Sequence, residues 1–174
     1  MENGKKKFFI YVWVPAVAPE LGIRMVSLIP SGMNPAEGDF VSSTFAQGDA
    51  EDAERTRYFD TWIAFERADG IFAAEQLPDA RNANWSRIEW NDDSREMPKN
   101  SAGSYCNSLL RVVSDVNTPL RSLVAGLYRV AFTSFGSREV EGSFLAQIGA
   151  PIALPGVIIG QTIDEVIETI AAGN

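Results

Sequence analysis

The chain contains no histidine. That absence removes the usual Ser-His-Asp and Cys-His nucleophilic machinery. It also removes histidine-ligated zinc, copper and iron sites. There is one cysteine, Cys106, so no intramolecular disulfide can form, and thiolate-held zinc or iron–sulfur centres are excluded. Lysine is confined to Lys5, Lys6, Lys7 and Lys99, which leaves no evident candidate for a desolvated Schiff-base amine. The glycine-rich loops that cradle phosphates and the G-x-S-x-G elbow are missing as well. From these gaps we expect no cofactor and no metal centre. No apolar run approaches the ~20 residues that span a bilayer.

What is present describes an ordinary acidic globular chain. Its 174 residues fit a single domain, 1–174, large enough to bury roughly 70% of its unfolded surface. The net charge of −8 argues against a nucleic-acid backbone or an anionic membrane as partner. A protein partner or an apolar small molecule fits better, and a homo-oligomer stays open. The lone cysteine leans toward a reducing compartment, so the expected location is cytoplasmic. The amino-terminal stretch, Lys5-Lys6-Lys7 then an apolar run then Ala16-Val17-Ala18, has the outline of a leader. The run is short, though, rich in aromatic and β-branched residues, and crowded by Pro15 and Pro19. We read Phe8–Val14 as a buried strand.

Strand signals dominate. FFIYVWV, GIRMVSLIP, DFVSSTF, NWSRIEW, LYRVAFTSF, EVEGSFLAQI and PIALPGVII are short apolar or alternating runs ended by turn residues. YFDTWIAFERADGIFAAEQL reads as two strands of a hairpin around Asp69-Gly70. Gly136-Ser137 is the expected turn of a second hairpin. Two segments read as helices. Over 105–116, Tyr105, Leu109, Val112, Val113 and Val116 fall on one helical face, and NTPL follows with Pro119 placed as a first helical residue. At the carboxyl end, Thr162 and Glu165 form a capping box. Behind it, Ile163, Val166, Ile167 and Ile170 make an i, i+3, i+4, i+7 stripe that stops near Gly173. The elements do not alternate β-α-β-α, which argues against a doubly wound sheet. The expected fold class is α+β and β-rich: an antiparallel sandwich or open barrel of about seven to nine strands with two packed helices, one at the carboxyl terminus.

That last helix begins with Asp164 and Glu165. They already occupy the positive end of its dipole, so a phosphate there would meet two negative charges. The junction is expected to be structural.

Candidate sites are therefore built from carboxylates and aromatics. Glu66, Glu75 and Glu89, with Asp60, lie near Trp62, Trp85 and Trp90 in sequence, and paired carboxylates beside aromatic platforms are how glycosidases and sugar binders are made. Glu66, Glu75 and Glu89 are the catalytic candidates for a carboxylate-dependent hydrolase, lyase or isomerase. Trp62, Trp85 and Arg87 are the ligand-binding candidates. Strict alternation in WSRIEW puts Trp85, Arg87 and Glu89 on one face with Ile88 and Trp90 on the other. If the fold encloses a cavity, Phe8, Phe9, Trp13, Trp62 and Phe65 are the aromatics expected to line it. Glu37, Asp39, Asp49, Glu51, Asp52 and Glu54 form the candidate partner-binding patch of an acidic inhibitor or immunity-type protein, or else a solvated charge run. The leading reading is a non-enzymatic binding or accessory protein that holds a protein partner or an apolar small molecule on a β-rich scaffold.

Overall fold

The structure, a computed structural model, describes residues 5–27, 37, 59–99, 103–115, 117–118, 121–137 and 144–173. Among these residues the chain forms eight strands and two helices. The strands are β1 (Phe8–Val14), β2 (Glu20–Ser27), β3 (Thr61–Ala68), β4 (Trp85–Asn91), β5 (Ser108–Val113), β6 (Gly126–Ser134), β7 (Phe144–Gly149) and β8 (Ile158–Gly160). A 3-10 helix spans Ala74–Asn82, and helix α1 spans Ile163–Ala171. The expected strands in DFVSSTF and the first residues of EVEGSFLAQI lie outside the described residues.

Two antiparallel sheets face each other as a sandwich. One has the order β4-β3-β6-β1-β8 and the other β5-β2-β7, and they do not close into a barrel. Among the described strands only β3 and β4 are consecutive in sequence and neighbours in one sheet. The other six connections all cross between the sheets. The expected hairpin at Gly136-Ser137 is one of these. β6 pairs with β1 and β3, while β7 pairs with β2 in the opposite sheet.

Period-2 alternation fills the space between the sheets. Val12 and Val14 of β1, Ile23 and Met25 of β2, Ile63 and Phe65 of β3, Leu110 and Val112 of β5, and Tyr128, Val130 and Phe132 of β6 are buried there together. Phe65 and Tyr128 stack face to face at 5.2 Å. The Tyr128 hydroxyl donates to the Val124 carbonyl at 2.9 Å, which satisfies its polar end.

Two expected elements change type. Residues 108–113 form a strand, not a helix. Its apolar positions fit both periods, but Ser108, Leu110 and Val112 alternate inward along β2, and long-range pairing decides the matter. After the turn at Asp69-Gly70 the chain enters the 3-10 helix rather than a returning strand. Pro78 cannot serve a β-ladder, and Leu77 and Ala80, three apart, bury one eclipsed edge of that helix.

Helix α1 forms as its sequence predicts. Thr162 Oγ1 accepts from Glu165 N at 3.1 Å. The return bond is displaced by one residue, with Gln161 N donating to Glu165 Oε2 at 2.7 Å. The stripe Ile163, Val166, Ile167 and Ile170 packs with Leu77, Ala80 and Ile71 against Trp13, Ala68, Leu127 and Ile158. α1 thus caps one end of the five-stranded sheet's outer face. Gly160 permits this approach. A Cβ there would lie 3.0 Å from Val166 Cγ2 and 3.1 Å from the Thr162 carbonyl oxygen. Asp164 pairs with Arg81 of the 3-10 helix and ties the two helices together.

Candidate functional site

The rest of that outer face gathers most of the cation–ring contacts found among the described residues. Its register rows are read across the strands. Trp90 of β4 stands opposite Ala64 of β3, which stands opposite Ala131 of β6 and then Phe9 of β1. In another row Arg87, Glu66, Arg129 and Tyr11 follow in the same order. Trp62 stands opposite Thr133.

A β-bulge assembles this set. The β3–β4 register shifts between Phe65 and Glu66, so that Phe65 pairs with Glu89 while Glu66 pairs with Arg87. The extra residue, Ile88, turns toward the inner core. Arg87 and Trp90 therefore share the outer face, and Glu89 belongs to the other. Strict alternation placed them the opposite way, and one inserted residue inverts the phase of a strand.

The outer side chains interlock. Trp62 and Trp90 stack with centroids 6.5 Å apart and planes 29° from parallel. The Arg87 guanidinium lies 5.3 Å and Lys7 Nζ 5.1 Å from the Trp62 ring centroid. Arg129 stands 4.5 Å from the Phe9 centroid and 4.2 Å from that of Trp85. Its Nε donates to Glu66 Oε2 at 2.6 Å, and Arg87 Nε lies 3.8 Å from Glu66 Oε1. Glu66 is buried, so both guanidiniums are held by a carboxylate that water barely reaches. Ala64 and Ala131 are buried in the same stretch of sheet. Their small side chains leave room for the neighbouring rings and guanidiniums to lie against the strands. Each cation–ring contact contributes roughly 0.5–2 kcal/mol, depending on its exposure.

An acidic corner borders the platform. Asp60 precedes β3, and Asp92 and Asp93 follow β4. Asp60 is pushed up to about 6, first by desolvation and then by the charges of Asp93 and Asp92. Asp93 is raised by desolvation and by Asp92. Hydroxyl and amide groups behind the corner fix its backbone. Thr61 Oγ1 and Ser108 Oγ are 2.7 Å apart, Ser108 Oγ donates to the Asp92 carbonyl, and Asn91 Oδ1 accepts from Leu109 N. Among the described residues no group of three or more His, Cys, Asp or Glu side chains stands in metal-binding geometry.

The catalytic candidates do not converge. Glu66 is held by two arginines on the outer face. Glu89 accepts from Arg121 at 2.8 Å from the opposite side of the sheet. Glu75 is exposed in the first turn of the 3-10 helix. The ligand-binding candidates fare differently. Trp62 and Arg87 touch, and Trp85, which itself packs against the cluster beneath α1, is linked to them through Arg129 and Glu66. Trp90, Arg129 and Lys7 complete the group. Arg129 sits mid-strand in LYRVAF, where a charge between apolar neighbours is the one sequence signal that marks it. Of the acidic patch, Glu37 is exposed in a turn, while Asp39, Asp49, Glu51, Asp52 and Glu54 lie outside the described residues.

The aromatics proposed to line a cavity do not surround one space. Phe65 is in the inter-sheet core, Trp13 lies in the cluster beneath α1, Phe9 and Trp62 are on the outer face, and Phe8 is exposed. The lysines also hold a correction. Lys5 is buried, and its ammonium donates to the Ser134 carbonyl at 2.7 Å, Ser134 Oγ at 3.1 Å and the Phe135 carbonyl at 3.2 Å. Desolvation, then the charge of Lys7, lowers its pKa. It serves as a clamp on the end of β6.

The sequence matches the model of the Lipl32 family, described as a surface lipoprotein of the order Spirochaetales, over residues 1–159. No curated protein matches the chain. The family corrects the expected cytoplasmic location, because it is a family of the cell surface. A single cysteine is weak evidence of compartment: a chain stabilised by an inter-sheet core needs no disulfide wherever it resides. No helix among the described residues is long and apolar enough to cross a membrane.

Proposed function

The chain belongs to the spirochaetal surface lipoprotein family Lipl32, and from that premise we propose that it is a non-enzymatic surface protein that holds a partner on the open outer face of its five-stranded sheet. The observation that carries this reading is the Trp62–Trp90 stack flanked by Arg87 and Lys7 and underpinned by buried Glu66. Aromatic and arginine side chains at an exposed face are the groups that dominate recognition sites. Here the rings and cations already contact one another without a ligand, which lowers the ordering cost of binding.

The scattered placement of Glu66, Glu75 and Glu89 supports a holding role over carboxylate chemistry. The test is native mass spectrometry on chain purified gently from the cells that make it, wild type beside a Trp62→Ala/Trp90→Ala double variant. The expected result is additional mass on the wild type that the variant lacks. Additional mass retained by the variant, or a bare chain in both, overturns the reading.

A further inference from the structure

We infer that the open face takes an acidic sugar: a glycan in which one carboxylated residue sits beside neutral ones. The inference rests on the reading of this face as the binding site and adds the chemistry of its ligand.

Charge is arranged in order along the face. At one end stand the carboxylates of Asp60, Asp92 and Asp93, close enough to raise Asp60. The Trp62–Trp90 stack comes next, with the Lys7 ammonium beside the Trp62 ring. Beyond it lie Arg87 and Arg129, both against the carboxylate of Glu66. A ligand that follows this order is neutral and apolar-faced over the tryptophans and carries its negative charge at the arginine end. A pyranose ring offers an axial C–H face to stack on indole, and a sugar carboxylate offers a planar pair of acceptor oxygens to which a guanidinium edge donates. The Arg87 side chain is 43% exposed, so it remains reachable while Glu66 holds it in place.

The same order disfavours the other occupants. A polyphosphate carries charge on every unit. It would be drawn to Arg87 but would then run over the Asp60 corner, on a chain whose net charge is −8. A protein interface wants a dry apolar centre. On β3, β4 and β6 Trp90 is the one large hydrophobic left exposed among the described residues, at 48%, and cations flank the stack it forms. That is an area suited to one or two flat rings.

The experiment titrates the full chain with sialyllactose, which joins one acidic sugar to neutral ones, and in parallel with lactose and with a single-stranded oligonucleotide. Binding is read by tryptophan fluorescence and calorimetry. Sialyllactose is expected to bind and to perturb the fluorescence, lactose to bind about tenfold more weakly or not at all, and added salt to weaken the acidic ligand. Trp90→Ala is expected to weaken sialyllactose about tenfold through lost stacking. Arg87→Gln is expected to weaken it by a similar factor and to reduce its preference over lactose. Val113→Ser, exposed on β5 of the other sheet, is expected to change nothing. Circular dichroism melts confirm that each variant is folded.

Equal binding of lactose, insensitive to Arg87→Gln, overturns the acidic-sugar inference and leaves the face standing as a site. Tighter binding of the oligonucleotide assigns the face to polyphosphate and overturns it as well. No saccharide binding at all overturns the inference alone, since the native-mass comparison judges the face independently.

Discussion

The two ends of one sheet face use aromatic residues in opposite ways. At the end under α1, Trp13 is buried among Leu127, Ile158, Leu77 and Val166. At the open end, Trp62 and Trp90 are accompanied by Lys7, Arg87 and the Glu66–Arg129 pair, and no helix among the described residues lies over them. The strands are the same, and β1, β3 and β6 run through both ends. What differs is the neighbour supplied from outside the sheet, and that decides whether a tryptophan stabilises the fold or presents a surface. Apolar area removed from water stabilises by about 25 cal/mol per Å². An exposed ring beside a cation gains little of that and keeps its face available.

The sharpest way to break the contrast is at its covered end. Trp13→Ala removes a ring that is 5% exposed and leaves a cavity between sheet and helix. The expected loss is about 4 kcal/mol, read as a lowered denaturant midpoint with α1 helicity lost in the same transition. A loss below about 1 kcal/mol would mean that the cluster beneath α1 is loosely packed and that the two ends do not differ.

The next effect lies at the boundary. Glu66→Gln leaves Arg129, whose side chain is 18% exposed, without its charge partner. Removing one member of a buried ion pair leaves an uncompensated charge, so the expected cost is roughly 2 kcal/mol in urea unfolding. Replacing both partners, Glu66→Leu with Arg129→Leu, should recover part of it. A double variant worse than the sum of its singles would show that the pair does not act as a unit.

How much of this contrast was legible in the sequence depended on which residues set it. Helix α1 could be read because its determinants are local: Thr162, Glu165 and a 3.6-period stripe. The β-rich class followed from short alternating runs, because period 2 needs only near neighbours. The strand at 108–113 was misread because Leu109, Val112 and Val113 satisfy a helical face as well as a pleat, and the choice is made by β2 far away in sequence. The open face was half legible. Trp62, Trp85 and Arg87 were picked by residue type, but Trp90 was assigned to the wrong side. The bulge at Phe65/Glu66 is a property of two paired strands, which WSRIEW alone does not encode. The Glu66–Arg129 pair spans sixty-three positions and has no local signature.

A smaller effect tests the acidic corner that borders the open end. Asp60 has a folded-state pKa of about 6, above the ordinary value of 3.8. Its charged form is therefore disfavoured by folding. The cost is fully present above pH 6 and is relieved as pH falls from 6 toward 4. Two units correspond to nearly ~3 kcal/mol at full burial, but Asp60 is exposed, and solvent screening reduces this to on the order of 1 kcal/mol. Asp60→Asn is expected to raise the melting temperature by about 3 °C at pH 7.5 and to leave it unchanged near pH 4. A shift of the same size at both pH values would assign the gain to something other than charge.

The smallest expected effect on stability is the most informative about the open end. Trp90→Ala removes a ring that is 48% exposed and stacked on Trp62, so little buried area is lost and no cavity forms. The expected cost is roughly 0.5 kcal/mol, close to the noise of a chemical-denaturation curve. On the reading of this face as a binding site, the same substitution is expected to weaken a ligand about tenfold through lost stacking. A substitution that barely moves the unfolding midpoint but weakens binding about tenfold separates surface from core, which Trp13→Ala cannot do. A loss of 3 kcal/mol or so would instead place Trp90 with Trp13 as a core residue, and the open end would then be a part of the fold whose cover lies elsewhere in the chain.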